Sequence, residues 1–272
     1  MTDPFTQDPV FDPEFAPSTA DFHFRSHGAM LNGVILTAGG AGPKPTVLLL
    51  HGFPGNERNF DLAQIYRRAG FNAAVFHYRG AWGSQGSFSF ENCLEDLPPA
   101  LEFLCQNAAR YQIDPGRIAL VGHSMGGWIA LMGTARGLGV RAAVSICGFN
   151  FGRFTRRVLD NPDSVRQWAE AFEGEVLPLA GTSGQALIEE MLRHGEAWDL
   201  LGQAPRLAQT PLLLVGATQD TIATLELSHH PLAEALPHAR QVLYETDHSL
   251  ASHRVALARD TLDFLWEALS TG

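Results

Sequence analysis

Lysine is almost missing from this sequence: Lys44, between Pro43 and Pro45, is the only one. A phosphate-binding P-loop needs a Gly-Lys-[Ser/Thr] triplet at the start of a helix, and a pyridoxal site needs a buried lysine, so both are excluded. Cysteine is nearly as scarce. Cys93, Cys105 and Cys147 form an odd set with no C-x-x-C pair, which argues against a disulfide framework and for small buried hydrophobes. H-E-x-x-H is absent, and His229-His230 and His238 lack ligand spacing, so no metal is expected. Positive charge is in short supply: 19 bases face 29 acids, a formal charge of −10, which speaks against nucleic acid as a partner. The N-terminus, MTDPFTQDPVFDPEF, has neither the basic start nor the apolar stretch of a signal peptide. The longest aliphatic runs, such as Val47-Leu50 and Leu212-Val215, are far too short to cross a bilayer. These absences together lead to the expectation of a cytoplasmic protein that makes no membrane contact.

What is present is a chain of 272 residues, 45% of them hydrophobic and 10% aromatic, enough for one large domain with an insertion. Residues 1–20 are proline-spaced and acidic and read as a tail, with the domain expected over 21–272. Phe22-Ser26 and Val34-Thr37 look like strands joined through an Asn32-Gly33 turn signal. TVLLLHG (46–52) is a continuous apolar run ending in glycine, as expected of a strand buried on both faces. Segments 72–80, 117–124, 142–148, 211–220 and 240–249 repeat the design, with helix patterns near 60–69, 97–110, 125–137, 229–236 and 252–268. The alternation predicts a doubly wound, mostly parallel sheet of eight strands with helices on both faces. Pro98 and Pro99 would break a helix drawn from Glu91, which predicts a start with Asp96 as N-cap. Residues 149–208 break the alternation. They are rich in aromatics (Phe149, Phe151, Phe154, Trp168, Phe172, Trp198) and too long for an ordinary loop, so a helical lid or cap is expected there.

The strongest chemical signal is Gly122-His123-Ser124-Met125-Gly126-Gly127, a G-x-S-x-G match between an apolar strand (Ile118-Val121) and a helix-forming run (WIALMGTA). A serine turned sharply between strand and helix takes a strained backbone, and side chains at 122 and 126 would collide with neighbouring elements. The turn lifts Oγ of Ser124 to the C-terminal edge of the sheet and leaves the Met125 N–H at a helix N-terminus, ready for a developing negative charge. GAWGSQG (80–86) lacks the G-x-G-x-x-G spacing, so no dinucleotide cofactor is expected.

With this motif, and from residue 22 onward, the chain resembles the α/β-hydrolase family. His51-Gly52-Phe53-Pro54-Gly55 follows the third strand, where the resemblance places a second oxyanion donor, the Phe53 N–H beside that of Met125. Tyr78-Arg79-Gly80-Ala81-Trp82-Gly83-Ser84-Gln85-Gly86 is similar to the R-G-x-G-x-S-x-G loop after the fourth strand, with Trp82 standing where the pattern has glycine. The family's order of nucleophile, acid and base falls on Ser124, Asp220 after an apolar strand, and His248 after the last strand. His248 would take the proton from Ser124, and Asp220 would hold the imidazole tautomer and stabilise its cation. Asp247 reads as solvent-facing, His123 as structural, and His51 as a support for the oxyanion loop. The resemblance implies an esterase acting on small to medium acyl or aryl esters through an acyl-serine, without cofactor or metal. Peptidase and thioesterase chemistry share the machinery. A non-catalytic small-ligand-binding module is the alternative from another class, whereas a dehalogenase would need a carboxylate at 124.

Overall fold

The computed structural model describes residues 3–270; residues 1 and 2 of the expected tail, and 271 and 272 at the end of the expected domain, lie outside them. Eight strands form one sheet: β1 (Ser18–Ser26), β2 (Ala29–Thr37), β3 (Lys44–Leu50), β4 (Asn72–Phe76), β5 (Ile113–His123), β6 (Ala142–Ile146), β7 (Leu212–Ala217) and β8 (Arg240–Tyr244). Their order across the sheet is β1-β2-β4-β3-β5-β6-β7-β8. Only the pairings of β2 with β1 and with β4 are antiparallel; the remaining five are parallel.

Alternation along each strand divides the core in two. Val47 and Leu49 of β3 join Ala119 and Val121 of β5 on one face, beneath Leu62 and Tyr66 of the helix Phe60–Arg68 and Leu257 and Leu265 of the helix Arg254–Ser270. Leu48, Leu50, Ile118 and Leu120 point the other way, into a second core with Leu97, Leu101, Trp128 and Ile129. Parallel strands covered on both faces explain why β3 to β7 read as unbroken apolar runs. The helix Met125–Ala135 is buried on every side, so its sequence shows no polar face. The lone lysine is structural: Lys44 Nζ donates to the Gly40 carbonyl (2.6 Å) and to Gln112 Oε1 (2.6 Å).

Three local expectations need correction. The first hairpin turns at His27 and Gly28, both at positive φ (47° and 84°), and not at Asn32-Gly33. Gly33 instead sits inside β2 opposite Phe22, whose ring lies 2.2 Å from where a Cβ at 33 would be. The glycine is there to receive a ring rather than to turn the chain. Asp96 does occupy the N-cap position of the helix Leu97–Gln106, but its carboxylate makes no cap. It accepts from Ser26 Oγ (2.5 Å) and from Arg79 N (2.7 Å) and Nε (2.6 Å), since a buried cation takes precedence over a helix end. A further helix, Phe90–Glu95, precedes it, capped by Ser89 and by Glu190, which accepts from the Phe90 and Glu91 amides.

Between β6 and β7 the chain forms the helices Phe151–Val158, Pro162–Glu173 and Gly184–His194, followed by short turns of helix. Among the described residues no helix is long and apolar enough to cross a membrane.

Candidate active site

Ser124 links β5 to the helix Met125–Ala135 with φ 56° and ψ −119°. Such a conformation costs a non-glycine residue about 1–3 kcal/mol and persists only where neighbours over-determine it. They do so here. The Ser124 amide donates to the Ile146 carbonyl (2.9 Å), and the Ser124 carbonyl accepts from the amides of Gly127 (3.0 Å) and Phe149 (3.1 Å). The flanking glycines leave no choice of side chain: a Cβ at Gly122 would lie 1.9 Å from the Gly126 carbonyl oxygen, and one at Gly126 would lie 1.9 Å from that of Leu50.

The Ser124 side chain opens into a cavity of about 420 Å³, where His248, Phe53 and Met125 are also found. Met125 is the first residue of its helix, so its N–H belongs to the turn that no helical carbonyl can serve. His248 Nδ1 lies 2.7 Å from Asp220 Oδ2, with the Asp220 side chain fully buried. The other oxygen, Oδ1, accepts from the Ile222 and Ala223 amides, each at 2.8 Å. Burial pushes the Asp220 pKa up, but the hydrogen bond and charge of His248, with the two amides, outweigh it and leave the carboxyl below its ordinary value. Asp220 therefore stays ionised at neutral pH and accepts from the His248 ring at Nδ1. The structure thus gathers all five residues expected from the sequence around one cavity or its immediate support.

The residues given supporting readings fall as follows. Asp247 is exposed and accepts from Ser249 Oγ and the Ala251 amide, each at 3.1 Å. His51 is buried with Nδ1 2.8 Å from the Gly52 carbonyl, and burial above all holds its pKa down to about 3. His123 lines the cavity, yet its Nε2 is 2.9 Å from the His248 carbonyl and burial keeps it near pKa 4. Trp82 takes φ 49°, donates from Nε1 to the Pro54 carbonyl (2.8 Å) and lies under the Arg58 guanidinium (4.2 Å), so it braces the loop that carries Phe53.

Sequence reasoning missed the link from His123 to His248, and also Cys147. At the end of β6, with φ 45°, Cys147 brings Sγ within 4.8 Å of both an Asp220 oxygen and a His248 ring nitrogen. Burial and the Asp220 charge push its thiol pKa up, so it faces the carboxylate as S–H. Glu91, Glu190 and His194 also bring three ligand-type atoms within 4.8 Å, but Glu190 is engaged by the helix amides it caps. One signal was available and unused: Trp168, Ala171, Phe172 and Glu175, spaced as one helical face, all line the cavity.

Residues 47–268 match the model of a family described as the alpha/beta hydrolase family. The chain belongs to the alpha/beta hydrolase family. No curated protein sequence matches it. Solved structures of alpha/beta architecture do. An esterase from Pyrococcus furiosus superposes with a TM-score of 0.67 at 17% identity, over 97% of this chain and 98% of its own. An acylaminoacyl peptidase from Pyrococcus horikoshii gives 0.68 at 17% identity, over 94% of this chain and 42% of its own. A 2,6-dihydroxy-pseudo-oxynicotine hydrolase gives 0.70 at 19%, over 93% and 68%. At these identities the likeness establishes the alpha/beta hydrolase fold.

Proposed function

We propose that this alpha/beta hydrolase is a serine esterase that cleaves small to medium acyl or aryl esters through an acyl-serine intermediate. The observation that carries the reading is the convergence of Ser124, His248 and the residues Phe53 and Met125 on one cavity, with His248 paired to buried Asp220 at 2.7 Å. Ser124 Oγ forms a bond to the ester carbonyl carbon while His248 Nε2 takes its proton, and the developing oxyanion is received by the Phe53 and Met125 amides. The carbon–oxygen bond to the alcohol then breaks, and His248 returns the proton to the departing oxygen. A water deprotonated by the same imidazole attacks the acyl carbon, releasing the acid and restoring Ser124. The cavity volume of about 420 Å³ suits a small organic substrate rather than a folded chain. In this reading residues 149–208 act as a lid on a domain spanning 21–272, and contribute the aromatic side of the cavity.

Hydrolysis of p-nitrophenyl esters from acetate to palmitate, wild type beside Ser124→Ala, tests the proposal. Turnover that depends on Ser124 and peaks at one chain length supports it. Folded protein that turns over no ester but cleaves peptide or thioester substrates moves the assignment to those reactions. Failure of a fluorophosphonate to label Ser124 rejects an activated serine altogether.

A further inference from the structure

We infer that the cavity favours substrates whose far end carries a positive charge, an alkylammonium or protonated amine, and disfavours those ending in a carboxylate. The inference rests on the esterase reading of Ser124 and deepens it. Trp168, Ala171, Phe172 and Glu175 line the cavity at helical spacing. The helix ends at Glu173, but Gly174 keeps right-handed helical angles and the Glu175 amide donates to the Phe172 carbonyl at 2.9 Å, so the spacing carries through to 175. That face presents two aromatic rings and then a carboxylate. Glu57, from the loop after β3, also lines the cavity, one of its carboxylate oxygens accepting from the Asn59 amide at 2.5 Å.

No lysine or arginine lines the cavity among the described residues. The neighbouring Arg58 is turned away, its guanidinium over Trp82 and its Nε donating to the Gly55 carbonyl at 3.0 Å. Aromatic faces carry a negative quadrupole and attract cations, and they offer nothing to a carboxylate. Glu57 and Glu175 are exposed, which limits each to a modest pull that salt will screen. Ring faces and carboxylates act in the same direction, and together they correspond to about a tenfold preference between a cation and its neutral isostere. A purely apolar cavity would rank the two in the opposite order, because the ammonium would lose hydration without recompense.

The test uses two ester series. One varies the alcohol side: butyrylcholine, its neutral isostere with a quaternary carbon in place of nitrogen, and a butyrate ester of a hydroxy acid. The other varies the acyl side of p-nitrophenyl esters in the same three charge states at matched length. The expected result is kcat/KM in the order cation, neutral, anion in at least one series, with the cation-to-neutral ratio near tenfold at low salt, falling in high salt and falling further in the double variant E57Q/E175Q. Equal rates across charge states, or a preference unchanged by that double variant, overturns the inference while leaving the esterase reading intact. If no ester is turned over, the esterase reading falls, and binding of the same esters to Ser124→Ala, followed by tryptophan fluorescence, still decides the charge preference: a cation bound no tighter than its isostere overturns it.

Discussion

The imidazole Nε2 of His123 donates to the backbone carbonyl of His248 across 2.9 Å. One residue of the turn that carries Ser124 therefore holds the loop that carries the proposed base, and the two rings lie 4.8 Å apart. The link is neutral: burial, reinforced by the nearby His248, keeps the His123 pKa near 4, so the bond does not titrate in the range where an esterase works. Without that donor, His248 would be free to drift from the attacking geometry, where an error of about 1 Å costs up to a hundredfold. His123→Phe should lower kcat by about ten- to a hundredfold with KM nearly unchanged. His123→Gln, which keeps an N–H within reach, should recover part of the loss. Steady-state kinetics of the two variants decides it: equal damage from both would mean that the ring, and not the hydrogen bond, matters.

Asp220 is the second position where a small change should have a large effect. Asp220→Asn keeps the shape but removes the charge that stabilises the imidazolium, and an amide oriented to donate would move the His248 proton to Nε2, where it cannot accept. The expected loss in kcat is about three to four orders of magnitude, as for the equivalent change in the serine protease triad. Because the Asp220 pKa lies below the ordinary carboxylate value, Asp220 should add no proton to the acid limb of the wild-type rate profile near neutral pH. An acid limb with a slope of two would show that Asp220 titrates in the same range and would contradict its ionised state.

The fold's response to acid follows from its buried histidines. Burial holds His51 near pKa 3 and His77, His123 and His229 near 4, all below the ordinary 6.5. The unfolded chain binds protons at these sites from about pH 6.5 downward, while the folded chain does not. Their contribution to stability is therefore whole above about pH 6.5 and is lost as the pH falls toward the folded values. Between pH 6 and 5 unfolding should take up about three to four protons, read from the slope of unfolding free energy against pH. The usual histidine that gains a partner would give the opposite sign. A flat profile between pH 7 and 5 would show these side chains protonated within the fold.

How much of this was legible in the sequence depended on whether a residue's role was local. Ser124, between Val121 and Trp128, announced itself because a strand, a glycine-bounded turn and a helix are all encoded within a dozen residues. Asp220 and His248 could be named as candidates because Asp220 follows an apolar strand and His248 the last strand, in the order the family resemblance implies. Gly33 was misread because a glycine that admits a ring and one that turns the chain look identical in one dimension; only pairing with Phe22 separates them. Asp96 was misread as a cap because Arg79 and Ser26, its partners, lie 17 and 70 residues away in sequence. The contacts of His123 with His248, 125 residues apart, and of Cys147 with Asp220 depend on how β5, β6, β7 and β8 lie side by side. No local pattern encodes that.

Trp82 offers a test of a departure from the family pattern. It occupies a position with φ 49°, where glycine would be at ease, and it compensates with contacts that glycine cannot make. Its indole N–H donates to the Pro54 carbonyl at 2.8 Å, and its ring leaves so little room that a Cβ on Gly55 would lie 2.5 Å from Nε1. The loop that carries Phe53 is thus pressed against the β4 loop by one side chain. Trp82→Phe retains a ring but leaves the Pro54 carbonyl without that donor, which should cost about 1 kcal/mol of stability. If the loop loosens, the Phe53 amide is the group displaced, so kcat should fall about five- to thirtyfold while KM changes little. Trp82→Gly relieves the backbone, worth about 1 kcal/mol, but forfeits the buried part of the indole, worth about 3 kcal/mol, and should be the less stable of the two variants. Thermal unfolding of the pair beside wild type settles the sign: a glycine variant more stable than the parent would mean that strain at this position outweighs everything the indole holds in place.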